Sequence, residues 1–232
     1  MSAFMSYLLG VSCLFMTIIF YYLSKYFYQR KPSILLMPLM LAPVLLILVV
    51  VAFRIPYQTY MSDAHWLLWM LGPATIAFAI PVYDNRKLVA RHWLSMSIGV
   101  GVSVIVAIGS TVMMAKLFHL SEVLQRSLAM RSITTPFAVE ATKSVGGQVD
   151  LTALFVVITG VIGMAVGESI LACLSIRSHL GKGASLGASA HGAGTAKAYQ
   201  LGSSEGVVAS MVMMIAGVVT VLIAPWISPL FW

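Results

Sequence analysis

Charge is the scarce ingredient of this sequence. Asp, Glu, Lys and Arg together make up 9% of its 232 residues, against about 25% in soluble domains. A chain so poor in charge cannot cover itself with polar surface, which excludes an ordinary water-soluble fold. Acidic residues are the rarest, seven against fourteen Lys and Arg. Cysteine is nearly missing too. Cys13 and Cys173 lie far apart inside apolar runs, which excludes a disulfide framework and a CxxC metal or redox motif. Both read as packing residues. The HExxH, GxSxG and GxxxxGK[ST] patterns do not occur, so no enzyme, cofactor or metal site is expected.

What the chain has instead is apolar length. Sixty per cent of it is hydrophobic, and the runs at 4–24, 34–53, 92–117, 150–173 and 207–230 are each suited to the bilayer core. The expected fold is all-α, a polytopic helical bundle forming a single integral membrane domain over 1–232. The N-terminus lacks a basic n-region and a small-residue cleavage site, and reads as a retained first helix. Pro38 and Pro43 predict a kink or an offset start in the second run. The stretch 63–85, with Trp66 and Trp69 at its start and Pro73 and Pro81 within it, is barely long enough to span, making about six spans in all. On the 92–117 run, Gly99, Ser103, Ala107 and Ser110 form a small-residue face expected to let helices approach closely.

The basic residues fall in short loops, Lys25/Arg30/Lys31 up to Pro32, then Arg86/Lys87/Arg91, then Arg177/Lys182. Their placement fits the positive-inside bias and not nucleic-acid binding. With the N-terminus outside, all three loops fall inside only if 122–147 enters and returns from the outer face. The segment 181–202 then enters and returns from the inner face. A broken, fully spanning helix is the alternative for each. Interrupted segment plus span thus occurs twice in inverted order, a hydropathy pattern that points to a transport site near the midplane.

Irregular backbone survives in hydrocarbon only when buried in protein or lining a wet cavity. Thr134-Thr135-Pro136 is such a break, with Thr134 or Thr135 capping a new helix whose free N–H groups attract a carboxylate. Arg131 lies close by and offers a fork of donors; the competing reading makes it an interfacial anchor and Pro136 a simple kink. The second break is 187–197, which holds Ser189, His191, Gly194, Thr195 and Lys197. If 191–195 is helical, His191 and Thr195 share a face. A buried imidazole binds an anion when protonated or passes a proton. Lys197 and Glu168 each have a plainer role, reaching the headgroups, and Glu205 suits the start of the last helix.

Several of these residues carry a resemblance. Arg131-Ser-Ile-Thr134-Thr135-Pro136-Phe-Ala138, Gly146-Gly147 and the stretch from Leu151 to Gly163 resemble the LrgB/CidB family of bacterial membrane proteins. So do Gly183, Gly187, His191, Gly194-Thr195-Ala196-Lys197-Ala198 and Glu205-Gly206, with Gly72-Pro73-Ala74 and Pro81-Val-Tyr83 earlier. The chain departs from the family's Gly-Thr-Ala-Ser-His-Ala at Gly187-Ala188-Ser189-Ala190-His191-Gly192, where a Thr is missing and the Ser is displaced by one place. The resemblance implies a multi-pass protein of the bacterial cytoplasmic (inner) membrane. It implies two functions. One is antiholin-like control of murein hydrolase activity and lysis, with a small LrgA/CidA-type membrane subunit as partner. The other is transport of a small carboxylate such as glycolate, glycerate or pyruvate, as in the related plastid translocator. The residue reading favours the carrier, proton-coupled through His191, with a holin-like pore as runner-up. Its site would be Arg131, Thr134, Thr135, Pro136, Ser189, His191, Gly194, Thr195 and Lys197. The expected partners are a small organic anion, the lipid bilayer and, as in carriers generally, a second copy in a homodimer.

Overall fold

The computed structural model describes residues 3–31, 33–77 and 79–232. Pro32 of the first basic loop and Phe78 of the 63–85 stretch lie outside the described residues. Every regular element among the described residues is helical. The chain divides into two compact units, 1–74 and 75–232.

In the first unit, α1 (Ala3–Arg30) packs against α2 (Pro38–Ala52) and α3 (Tyr57–Trp69). Pro38 stands at the first turn of α2, where its missing N–H costs nothing, so the predicted offset start is what occurs. A hydroxyl contact of 3.0 Å between Thr17 and Tyr60 ties α1 to α3. Ser62 and Asp63 fill the space beside Gly10. Four helices among the described residues are long and apolar enough to cross a membrane, fewer than the six runs of the sequence. The difference lies in α2, 15 residues and about 22 Å long, and in 63–85. That stretch is divided among the end of α3, α4 (Leu71–Ala77) and α5 (Ala79–Asp84).

The second unit holds the other three long helices, α6 (Arg86–Leu117), α9 (Val149–Cys173) and α11 (Ser203–Phe231). Between α6 and α9 lie α7 (Glu122–Ala129) and α8 (Thr135–Val145); between α9 and α11 lies α10 (His179–Leu201). α7 and α8 form an antiparallel hairpin. Arg126, in the last turn of α7, donates to the carbonyl of Val145 at the end of α8, 2.5 Å away. Ser127 Oγ accepts from the N–H of Gln148 at 2.8 Å. Gly146 closes α8 in the left-handed region at φ 74° with its N–H on Thr142, the conformation glycine adopts without a Cβ penalty. The buried Thr142 hydroxyl donates to Thr152 of α9 at 3.0 Å. The hairpin therefore enters and leaves beside the start of α9.

α10 is also folded back on itself. His191, inside it, has φ 38° and ψ −121°. A side chain at Gly194 would collide with the carbonyl of Leu186, eight residues earlier and about 12 Å away in a continuous helix. The first leg runs along α11 in the same direction, with Gly183 on Glu205 and Val208 and Gly187 on Ala209. The second leg returns, with Thr195 on Met213 and Tyr199 on Gly206. His179 and Glu205 close the base at 2.6 Å. The two hairpins approach from opposite ends of α9, the re-entrant alternative of the sequence reading.

Candidate functional site

The two hairpin tips meet α9 on one turn. Arg131, in the link between α7 and α8, donates to Thr159 Oγ1 at 3.1 Å. The His191 ring lies against Gly160, where an added Cβ would stand 2.7 Å from its Cε1. The ring lies near the Val156 backbone. Val156, Thr159 and Gly160 sit about 10–17 Å from the start of α9 and about 20 Å or more from its end. An arginine and a histidine are thus delivered to the middle of a spanning helix from opposite faces. Gly163 and Gly167 continue the approach, facing Ala190 and Leu186 of the first leg of α10, as small residues do in membrane interfaces.

Beside this turn lies a cavity of about 500 Å³ between α6, α9 and the first leg of α10. Its lining is mostly apolar, with Val106, Val166 and Ile170 among it, and its polar side chains are Arg131, Ser132, Ser103, Ser185 and Ser189. A second cavity of about 560 Å³ shares Ser103, Ser185 and Ala188 with it and extends past Gly99 and Ser95 to His92 and Gly181. The two form one vestibule on the side of the Arg91 and Arg177/Lys182 loops. On the other side, the α7–α8 hairpin is closed over α9 by the Ser127, Thr142 and Thr152 hydroxyls, with Thr152 donating to the Ser127 carbonyl at 3.1 Å.

Of the residues named from the sequence, Arg131 and Ser189 line the vestibule, and the others do not. Thr134 stands in the cap position of α8 and is buried, but its side chain makes no capping bond; Thr135 and Pro136 open the helix. His191 is 5% exposed, and its Nε2 is buried without a partner. It is itself the break in α10, so it does not share a helical face with Thr195, whose hydroxyl instead contacts the sulfur of Met213 at 3.7 Å. Gly194 is a packing position against Leu186. Lys197 does not reach for the headgroups alone; it pairs with Glu168 of α9 at 2.7 Å, tying the second leg to that helix. The residues missed by sequence reading are Ser103, Ser132 and Ser185. On α6 the small-residue face was expected to pack closely. A Cβ at Gly99 would meet nothing within 4 Å, and Gly99, Ser103 and Ala107 leave room for the vestibule.

Two re-entrant hairpins meeting on a spanning helix, with long apolar helices around them, define a polytopic membrane protein. The chain belongs to the LrgB-like family, whose model matches residues 17–230. It is 36% identical over 219 residues to the uncharacterized protein YwbG of Bacillus subtilis (strain 168), covering 94% of this chain and 97% of that one. It is 30% identical over 223 residues to the uncharacterized protein YxaC of the same organism, covering 96% and 97%. No solved structure matches the chain.

Proposed function

We propose that this protein is a membrane carrier for a small monocarboxylate of the 2-hydroxy or 2-oxo class, resident in the bacterial cytoplasmic membrane with the vestibule opening to the cytoplasm. The supporting observation is Arg131, held at mid-membrane depth on Thr159 and facing a cavity whose other polar groups are serine hydroxyls. A half-buried guanidinium without a paired carboxylate fits a small anion, and the lining offers no acidic side chain to repel one. The cytoplasmic orientation follows from the positive loops, since Arg86, Lys87, Arg91, Arg177 and Lys182 lie at the vestibule end. His191, with one ring nitrogen unpartnered at the second tip, is the proton carrier of this reading.

The deciding experiment is uptake of labelled glycolate and pyruvate into proteoliposomes. Saturable uptake is expected, accelerated by an imposed pH gradient. His191→Ala should keep a saturable flux and lose the gradient response. Arg131→Ala should weaken apparent affinity about 10–100-fold, the worth of a charged hydrogen bond or two. Leakage of uncharged dyes with no saturable monocarboxylate flux would instead support the runner-up, an antiholin-like pore component acting with a small LrgA/CidA-type subunit in export of murein hydrolases. The closed Ser127–Thr142–Thr152 side argues against an open pore.

A further inference from the structure

We infer that the preferred substrate is a medium-chain acid, with its carboxylate on Arg131 and an apolar chain lying along the second half of α9. The inference rests on the carrier reading above and sharpens its substrate class.

The cavity at Arg131 is larger and more apolar than an acid of glycolate or pyruvate size requires. Its volume of about 500 Å³ lies in the range of clefts that enclose drug-sized ligands, about 300–1,000 Å³. Among the described residues Arg131 is the only charged side chain of its lining. Arg131 is anchored on Thr159, which sets the depth of the carboxylate. Ser189 stands close to that depth, since its carbonyl approaches Gly163, one turn further along α9. Ser103 and Ser132 share a small recess there. Ser185, one turn before Ser189 on α10, is the polar side chain nearest the rest of the cavity.

The lining changes character beyond Gly167. From there to the end of α9 and the turn after it, the cavity is lined by Ile170, Leu171, Leu174 and Ile176, apolar side chains over about 10 Å of helix. Glu168, in the same stretch, is drawn to Lys197 and does not line the cavity. Leu171 and Leu186 are buried in one cluster with Ala198 and Ala209, so this wall is fixed in place. Ile170 and Leu174 are exposed, so a chain meets them without rearrangement. A short acid held on Arg131 reaches none of these residues. A longer one covers them and removes apolar surface from water on both partners.

A chain-length series tests the inference. Competition against labelled 2-oxopropionate in proteoliposomes by 2-oxopropionate, 2-oxopentanoate and 2-oxooctanoate should show apparent affinity rising about two- to fourfold per methylene. The methyl ester of 2-oxooctanoate has the chain without the charge and should compete about tenfold more weakly than the acid. Ile170→Ser removes apolar surface from the wall and should lower the preference for 2-oxooctanoate over 2-oxopropionate about threefold. Val166→Trp fills the space beside it and should lower the same ratio. Arg131→Ala should weaken every acid and keep the chain-length slope. Ligand-induced thermal shifts in nanodiscs should give the same order without transport. A flat or falling series in the wild type would overturn the inference and leave the carrier reading standing. An ester that competes as well as its acid would also overturn it, by making the cavity the seat of a lipid tail. Neither uptake nor thermal shift with any acid of the series would overturn the carrier reading and this inference with it.

Discussion

At the residue scale, glycine separates positions that hold the hairpin together from positions that merely tolerate it. Gly192 and Gly194 both follow the break, yet only Gly194 is confined, its α-carbon against the Leu186 carbonyl. Gly194→Ala should therefore be strongly destabilising, because backbone must move. Gly192→Ala, with nothing within 4 Å of the new methyl, should be neutral or stabilising by up to about 1 kcal/mol. Gly160→Ala pushes its methyl onto the His191 ring and should cost about 1–3 kcal/mol. Thermal unfolding of the purified variants in detergent checks all three, and equal behaviour of the 192 and 194 variants would contradict the folded-back leg. The sequence made this region legible as broken, since glycine is dense there. It did not show that the non-glycine His191 would take the positive φ, with its ring packed against Gly160, 31 residues earlier in the chain.

At the element scale, each interrupted segment is a hairpin with both feet on one side. Cysteines at Ser121 and Gln148 should react with an impermeant thiol reagent from one face, and cysteines at Ser178 and Gly202 from the opposite face, in intact and inverted vesicles. Labelling of Ser121 and Gln148 from different faces would show a spanning segment instead. The second leg of α10 is fastened to α9 by Lys197 and Glu168. Lys197→Ala should lower the melting temperature, and the exchange Glu168→Lys with Lys197→Glu should recover most of the loss. Charge patterning pointed to the first hairpin, because three basic loops fit one side only if 122–147 returns to where it began. It could not reveal that α6 forms a wall of the vestibule. Ser103 sits on an uninterrupted apolar run, and from sequence alone a small residue there reads as a contact point. Only the position of the Arg131 link and the first leg of α10 turns that face into a cavity.

At the scale of the whole second unit, the inverted order of hairpin and span has a geometric outcome. The α7–α8 hairpin descends from the start of α9, the α10 hairpin rises from its end, and both stop at Val156–Gly160. This arrangement was legible only as a repeat of hydropathy, because the two halves share no residue pattern; the meeting point is set by hairpin length. The consequence is electrical. With solvent admitted along the vestibule to Arg131, the insulating layer is no longer the full hydrocarbon thickness but the short plug between that arginine and the Ser127–Thr142–Thr152 closure. A membrane voltage, which does about 2.3 kcal/mol of work per elementary charge at 100 mV, then falls across this plug. A carboxylate crossing with a proton would not register it. In His191→Ala the anion would travel uncompensated, and its flux should acquire a dependence on a valinomycin-set potassium potential that the wild type lacks.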